Sequence, residues 1–459
     1  MYKILFFFTL TFSLNLVAQF QVGHTTIVFN DPARTGGTGS GGGLGRQIQT
    51  EIYYPATTAG DNVAVASGQY PVITFGHGFA MSWDAYTNIW QRYAAKGYIL
   101  AFPRTEGGLI PSPSHADFGT DLRQVSDKML NLNTTASSIF NGKILPRAAI
   151  MGHSMGGGAT ILAGAGNVNI VTIIGMAPAE TDPEATLAAP NVTVPALIFS
   201  GTADGVTPAA DHHTPIYQGL ASTCKNFVNI TGGGHCFYAQ TNFNCDFGEN
   251  TSSPNISINR ATQQQLTYTI LDPWLDYILK ENCEAYATFQ NAMATTTGTV
   301  GVTTCPLVPS VSISANSNVL TASTTGVSYQ WYFNNEPISN ATNQSYTAIQ
   351  DGNYSVSVTF QYGCANSPAF NFSNETIGFD ENLNVFKVYP NPATNFININ
   401  NESNREAIYS LVDISGREIM TFSSSKNTEM LDISKLSKGN YLLEVESLQG
   451  RKTFRVVKD

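Results

Sequence analysis

Three short stretches carry residue types that can do nucleophilic chemistry together. Gly152-His153-Ser154-Met155-Gly156 follows the apolar run Ala148–Met151 and precedes Gly157-Gly158-Ala159. This is a G-x-S-x-G pattern between a strand and a helix, the context in which a sharp turn exposes a serine hydroxyl at a sheet edge. A serine hydroxyl is a weak nucleophile without a base. The apolar run Ala196–Ser200 is followed by Gly201-Thr202-Ala203-Asp204, and Asn226–Thr231 by Gly232-Gly233-Gly234-His235. The three fall in the order Ser, acid, His, each after a strand-like run, as a nucleophile elbow of this kind demands. Ser154 is therefore expected as nucleophile, His235 as the base that takes its proton, and Asp204 as the carboxylate that holds the imidazole tautomer. Asp211 competes for the acid role, though Asp211 and His212-His213 read more simply as the solvated start of a helix. His77, His115 and His153 read as packing residues or as residues behind the site.

A tetrahedral intermediate needs two backbone N–H groups for its oxyanion. Met155, next after the nucleophile, is expected to supply one. The turn Gly76-His77-Gly78-Phe79 after Val72–Phe75 is expected to supply the other, from Phe79. No cofactor is required by this chemistry. Cys236 and Cys245 are nine apart and the remaining His and Cys residues are isolated, so the spacing points to no metal site. Gly37-Thr38-Gly39-Ser40-Gly41-Gly42 satisfies G-x-G-x-x-G formally, but a strand follows it rather than a helix, and it reads as a surface loop.

Positioning these groups takes a sheet. Strand-like runs at Ile48–Tyr54, Val72–Phe75, Ile99–Phe102, Ala148–Met151, Ile170–Ile174, Ala196–Ser200 and Asn226–Thr231 alternate with helical patterns such as Asp117–Leu132 and Gln263–Lys280. Several runs are continuously apolar, as in strands covered on both faces. The pattern predicts a doubly wound, mostly parallel α/β sheet over residues 19–305. Residues 306–375 differ. They contain no Lys or Arg, and strand-like segments at Gly326–Phe333 and Gly352–Phe360 are separated by Asn, Gly and Pro turns. Trp331 in Tyr329-Gln330-Trp331-Tyr332 suggests an immunoglobulin-like β-sandwich module, against the plainer reading of a spacer. Residues 384–459 form a third, all-β region.

The 459 residues carry 23 Lys+Arg against 33 Asp+Glu, a net charge of −10. So few basic groups exclude a nucleic-acid binder working through bulk electrostatics. Lys3 and the apolar run Ile4–Leu16 read as a secretory signal peptide over residues 1–18, cut after Ala18 and too short to anchor in a membrane. Exported chains pair their cysteines. Cys283 ends the helical pattern that includes Gln263–Lys280 and Cys305 the segment after it, so a 283–305 disulfide is expected. Cys236–Cys245 is possible, and Cys224 and Cys364 are left without an assigned partner.

Residues Phe29 to Cys305 resemble the α/β-hydrolases of the bacterial cutinase, polyester (PET) hydrolase and dienelactone-hydrolase-like branch. The resemblance rests on Gly152–Thr160, with Ala159 where glycine is usual, on Gly78-Phe79-Ala80, on Gly234-His235-Cys236 and on Asp272–Lys280. It implies that Phe79 also contacts substrate. Cutinases carry Trp after the Ala-Pro that follows the sixth strand, whereas Ala179 follows Ala177-Pro178 here. Half of the aromatic clamp implied by the resemblance is thus missing. Trp83, Phe237 and Tyr238 are the aromatic residues available to replace it, and each reads equally as loop packing. The C-terminal region, through Val388-Tyr389-Pro390-Asn391-Pro392-Ala393, Leu411–Glu418, Leu436–Leu443 and the basic strand Gly450–Lys458, resembles the type 9 secretion sorting domain of Bacteroidetes. Together these resemblances imply a monomeric serine carboxylester hydrolase, secreted or held at the cell surface by the type 9 machinery and acting on polyester or cutin-like esters. A lipase or small-ester esterase of the same fold is the first alternative. The second is a surface adhesion protein that binds polymer and carries a vestigial hydrolase.

Overall fold

The computed structural model describes residues 19–373, 385–402, 405–447 and 450–459. The expected signal peptide, residues 1–18, lies outside them. The chain divides into two compact units. The first runs to Ser310 and includes 326–328 and 358–365, and the second holds Val311–Thr325, Tyr329–Ser357 and Asn366–Asp459.

The first unit is built on β1 (Gln21–Asp31), β2 (Arg46–Ala56), β3 (Tyr70–Gly76), α1 (Thr87–Ala95), β4 (Ile99–Pro103), α2 (His115–Asn131), β5 (Ile144–His153), α3 (Met155–Gly164), β6 (Thr172–Met176), β7 (Ala196–Gly201), α4 (His213–Gly219), β8 (Lys225–Ile230), α5 (Phe243–Ser252), α6 (Arg260–Lys280), α7 (Glu284–Thr295) and β9 (Thr299–Thr303). The sheet order is β9-β8-β7-β6-β5-β3-β4-β2-β1, with two-residue strands at Gly60–Asp61 on the edge strand β1 and at Gly37–Thr38 on β2. Neighbours from β4 through β8 pair in parallel. The pairs β1/β2, β2/β4 and β8/β9 are antiparallel. The mixed, mostly parallel sheet agrees with the α/β expectation. Strand β1 is not singled out by the sequence reading, because its half-buried alternation is weaker than the apolar runs around it.

Alternate residues along each central strand feed opposite cores, as a period of two demands. Ile73, Phe75, Ala149, Met151, Leu197 and Phe199 pack on one face with α1 and α6. Val72, Ala148, Ile150, Ala196 and Ile198 pack on the other with α2 and α3. Burial on both faces explains the unbroken apolar runs.

The cysteine expectation is corrected. Cys305 pairs with Cys224, not with Cys283, and Cys283 pairs with Cys364. The reason is β9. It runs antiparallel to β8 in a register that sets Thr303 opposite Asn226, which brings Cys305 beside Cys224 with 4.0 Å between Cα atoms. Cys236–Cys245 forms as one of the open readings had it.

In the second unit, Ile313–Asn316, Val319–Ala322 and Ser345–Thr347 form a three-stranded antiparallel sheet. Trp331 is fully buried on the strand Ser328–Phe333, and its indole N–H donates to Asn343 O at 2.9 Å. Toward the C-terminus lie a three-stranded and a four-stranded sheet whose core holds Ile397, Ile399, Tyr409, Leu411, Leu443 and Val445. The Asp413–Arg417 turn is closed by Asp413 Oδ1, which accepts N–H bonds from Ser415 at 2.9 Å and Arg417 at 3.1 Å, with Gly416 at φ +81°. Among the described residues no helix is long and apolar enough to cross a membrane.

Candidate active site

Ser154 stands between the end of β5 and the start of α3 with φ 55° and ψ −121°. A non-glycine residue held at positive φ is strained and needs its surroundings to hold it. Here its N–H donates to Met176 O at 3.0 Å, and its carbonyl accepts from Gly158 N at 3.0 Å and Ala179 N at 2.9 Å. The elbow packs so tightly on β3 that a Cβ at Gly156 would lie 2.1 Å from Gly76 O, so only glycine fits. The Ser154 hydroxyl does not cap α3. It sits at the N-terminus of that helix, where developing negative charge is favoured.

Opposite it, Gly78–Met81 forms a β-turn closed by Met81 N–H to Gly78 O at 3.1 Å, with Ala80 at φ +54°. Such a turn uses the N–H of its fourth residue and leaves that of its second, Phe79, unused by the turn. The Phe79 ring is half-exposed. Behind the turn, Gly78 N–H donates to Tyr86 OH at 2.8 Å, and that phenol lies 2.9 Å from His153 Nδ1. His153 Nε2 lies 3.0 Å from His235 O and must donate, so its Nδ1 accepts from Tyr86. Burial pushes the His153 pKa down to about 3, which keeps the ring neutral and able to play both parts.

His235 follows β8 and Asp204 follows β7, both at the carboxyl ends of their strands. His235 Nδ1 lies 2.8 Å from Asp204 Oδ2, and both residues are buried. Burial acts to raise the Asp204 pKa, but the His235 ring and the backbone bond from Thr207 outweigh it, and the net shift is downward. Asp204 Oδ1 accepts from Val206 N at 2.9 Å and Thr207 N at 2.8 Å. Thr207 Oγ1 donates to Asp204 Oδ2 at 3.0 Å. The competing Asp211 is exposed and the His235 ring is turned to Asp204 instead.

The loop carrying His235 is held from outside. Glu249 of α5, itself 2% exposed, accepts the His235 N–H and, at 3.0 Å, the Cys236 N–H on the same oxygen. Gln263 of α6 clamps Gly234 with two bonds, of 2.9 and 2.8 Å. Asn244 Nδ2 donates to Ala80 O at 2.7 Å, and Cys236–Cys245 ties α5 to the loop covalently. Cys236, Asp246 and Glu249 converge, but Cys236 Sγ is in the disulfide and Asp246 is paired with Arg260, so the cluster has no thiolate to offer a metal.

Ser154, Asp204 and His235 thus follow the carboxyl ends of β5, β7 and β8, strands of one parallel set, and Asp204 and His235 are in contact. Tyr238 and His213 depart from expectation, whereas Trp83 and Phe237, both partly exposed, keep their open readings. Tyr238 is 1% exposed and belongs to the core between Phe199 and His153, so it cannot meet a substrate. Trp83 is half-buried beneath the Arg104 guanidinium at 4.1 Å, and Phe237 lies beneath that of Arg260 at 4.8 Å. His213 does start α4, but it is fully buried rather than solvated. Sequence reasoning missed Thr207, Glu249, Gln263 and Tyr86, because each acts by a contact between distant parts of the chain. It also missed Phe243 and Phe247, exposed at 82% and 64%, whose rings stand 6.3 Å apart on α5. Two aromatics spaced i, i+4 just after Cys236 are the signal that marks them.

A family model described as PET hydrolase-like matches residues 23–253. The chain belongs to the PET hydrolase-like family. A second model, a secretion system C-terminal sorting domain, matches residues 387–459. This PET hydrolase-like chain is 26% identical over 221 residues to a bis(hydroxyethyl) terephthalate hydrolase of Streptomyces coelicolor, covering 48% of this chain and 60% of that protein. It is 26% identical over 205 residues to a cutinase of Thermobifida alba, 44% of this chain and 60% of the other. A cutinase of Thermobifida cellulosilytica is 27% identical over 205 residues, 44% and 68% of the two chains. The aligned part therefore spans less than two thirds of the first two relatives. The matched region contains the elbow, the acid and the base identified from the sequence.

Proposed function

We propose that this protein is an exported serine carboxylester hydrolase that cleaves aromatic polyester through an acyl-enzyme. His235 Nε2 takes the Ser154 proton as Oγ attacks the ester carbonyl. The N–H groups of Met155 and Phe79 receive the oxyanion, and His235 returns the proton to the leaving alcohol. Water then repeats the sequence at the acyl carbonyl, with His235 again as base. Asp204 keeps the imidazole in the tautomer that leaves Nε2 free and stabilises the imidazolium. The observation that carries this reading is the buried 2.8 Å contact of Asp204 Oδ2 with His235 Nδ1. It lies at the same sheet edge as a serine held at φ 55°.

The substrate class is supported by the family and by the rim. Phe79, Phe243 and Phe247 are exposed, and Asn244 fastens α5 to the Phe79–Ala80 turn. Asp246 on that helix is neutralised by Arg260 and Glu249 is buried. The rim is therefore aromatic and nearly uncharged, which suits a neutral polymer. Ala179 beside the nucleophile favours a second reading, a small-ester esterase, because it offers no ring to clamp an aromatic unit. The sorting domain hands the chain to the type 9 machinery for release or surface display, and residues 306–375 act as an immunoglobulin-like spacer.

The deciding experiment is a substrate panel from p-nitrophenyl butyrate to amorphous aromatic polyester film. Ser154→Ala is expected to lose on the order of 10⁶ in turnover. Retention of more than a few per cent would remove the serine mechanism. Hydrolysis of butyrate with no soluble acid from film would select the small-ester reading.

A further inference from the structure

Behind Asp204 lies a second buried histidine. His213 Nδ1 is 2.8 Å from Ser200 Oγ, and its Nε2 is 3.0 Å from Thr207 Oγ1. Ser200 and His213 are fully buried and Thr207 is nearly so. Thr207 Oγ1 in turn contacts Asp204 Oδ2 at 3.0 Å and His235 Nδ1 at 2.8 Å. The neighbouring His212 takes no part, because its Nδ1 accepts from Glu180 N at 2.9 Å.

The protons of this group can be placed by counting. Ionised Asp204 only accepts. His235 must carry its proton on Nδ1 if Nε2 is to act as a base, so Nδ1–H points to Asp204 Oδ2 and Thr207 Oγ1. The single Thr207 hydroxyl proton is given to Asp204 Oδ2. Thr207 Oγ1 is then an acceptor toward His213, which makes His213 the Nε2–H tautomer. His213 Nδ1 is left to accept the Ser200 hydroxyl proton. Every donor in the series Ser200, His213, Thr207 therefore points along the chain toward Asp204. Aligned hydrogen bonds in a low-dielectric interior polarise one another. With Val206 N and Thr207 N on Oδ1, the carboxylate accepts two donors on each oxygen.

We infer that Thr207 and His213 are positioning residues for the acyl transfer: they act through Asp204, fixing Oδ2 against His235 Nδ1 and holding the negative charge that the imidazolium needs. This rests on the triad reading above. His213 Nε2 also stands 3.8 Å from Asp204 Oδ2, beyond hydrogen-bond range, so the hydrogen-bonded route from His213 to the carboxylate runs through Thr207.

That dependence can be tested with the full chain and p-nitrophenyl butyrate. Thr207→Val removes the hydroxyl at nearly constant volume. It is expected to lower kcat about 10- to 100-fold with KM unchanged, the loss that follows when a hydrogen bond to a charged group disappears. Thr207→Ser is expected to restore kcat to within about threefold of the parent, since it restores the one donor at issue. His213→Leu should slow turnover in the parent background and add nothing in the Thr207→Val background, because members of one chain are not additive. If Thr207→Val does not fold, Thr207→Ala removes the same hydroxyl with less bulk. Unchanged kcat in the hydroxyl-less variant, or equal slowing by His213→Leu in both backgrounds, overturns the inference. Ser154→Ala is measured alongside. If it stays active the triad reading fails and this inference with it, whereas an inactive Ser154→Ala with an unaffected Thr207 variant removes the inference alone.

Discussion

The phenol of Tyr86 joins the Gly78–Met81 turn to the elbow at Ser154: it accepts from Gly78 N–H at 2.8 Å and lies 2.9 Å from His153 Nδ1. His153 continues the line to the carbonyl of His235 at 3.0 Å. One buried series of bonds therefore spans the three loops that must meet for acyl transfer. Each loop follows a different strand, and nothing local sets their separation. Removing the phenol oxygen leaves Gly78 N–H without an acceptor and His153 Nδ1 without a donor. Tyr86→Phe is expected to cost about 1–3 kcal/mol for the unsatisfied groups. In a domain of this size that lowers Tm by roughly 2–4 °C per kcal/mol. A drop in kcat on a soluble ester should accompany it. An unchanged melting curve by circular dichroism would show that the series does not hold the loops.

Acid should loosen the hydrolase through its neutral histidines. Burial lowers the pKa of His153 and of His213 to about 3, against an ordinary value of 6.5. Below pH 6.5 the unfolded chain takes up protons that the folded rings refuse, so their contribution is complete above that pH and is lost as pH falls toward 3. Each such ring adds about 1.4 kcal/mol per pH unit to the slope of stability over that window. Urea unfolding at pH 7, 5.5 and 4 measures it. His213→Leu should be flatter by about one ring's share, and an identical slope would place His213 as charged or exposed.

Glu249 offers a sharper contrast between two substitutions. Both N–H groups it satisfies, of His235 and Cys236, reach the same carboxylate oxygen. Burial raises its pKa, against the lowering effect of those bonds. A neutral amide oxygen can accept the same two bonds. Glu249→Gln is thus expected to keep kcat within about threefold, whereas Glu249→Leu should lower it about tenfold or more by releasing the base loop. Equal kcat for the two variants on p-nitrophenyl butyrate would mean that the loop is held by Gln263 and the disulfide alone.

The rim aromatics predict a split between soluble and insoluble substrates. Phe243 and Phe247 are exposed and lie on a helix bonded to the Gly78–Met81 turn through Asn244. Phe243→Ser with Phe247→Ser should leave p-nitrophenyl butyrate turnover within about twofold, since neither ring touches the triad. Adsorption to polyester film and product release from it should fall about 5- to 20-fold, the loss of roughly 1–2 kcal/mol of ring burial. Release unchanged across a film-area titration would leave the polymer contact to Phe79 and other residues.

The proposed triad was legible in the chain because each member is announced locally. Ser154, Asp204 and His235 each follow an apolar run and sit in a glycine-bearing turn, and their order matches the order of the strands. The α/β character was legible for the same reason, since strands covered on both faces must be continuously apolar. The partners of the triad were not legible. Thr207 touches His235 across 28 positions, Tyr86 reaches His153 across 67, and Gln263 reaches Gly234 across 29. A lone Thr, Tyr or Gln carries no mark of such a contact. His213 looked solvated because a polar pair at a helix start usually is, and only the packing of α4 buries its second member. The disulfides show the same division. Six cysteines in an exported chain predict pairing, but the register of β9 on β8 decides that Cys305 meets Cys224. Sequence alone thus determined which groups could react and in what order they come. Tertiary structure decided which buried polar groups hold them, because hydrogen-bond partners are chosen by distances that only the folded sheet sets.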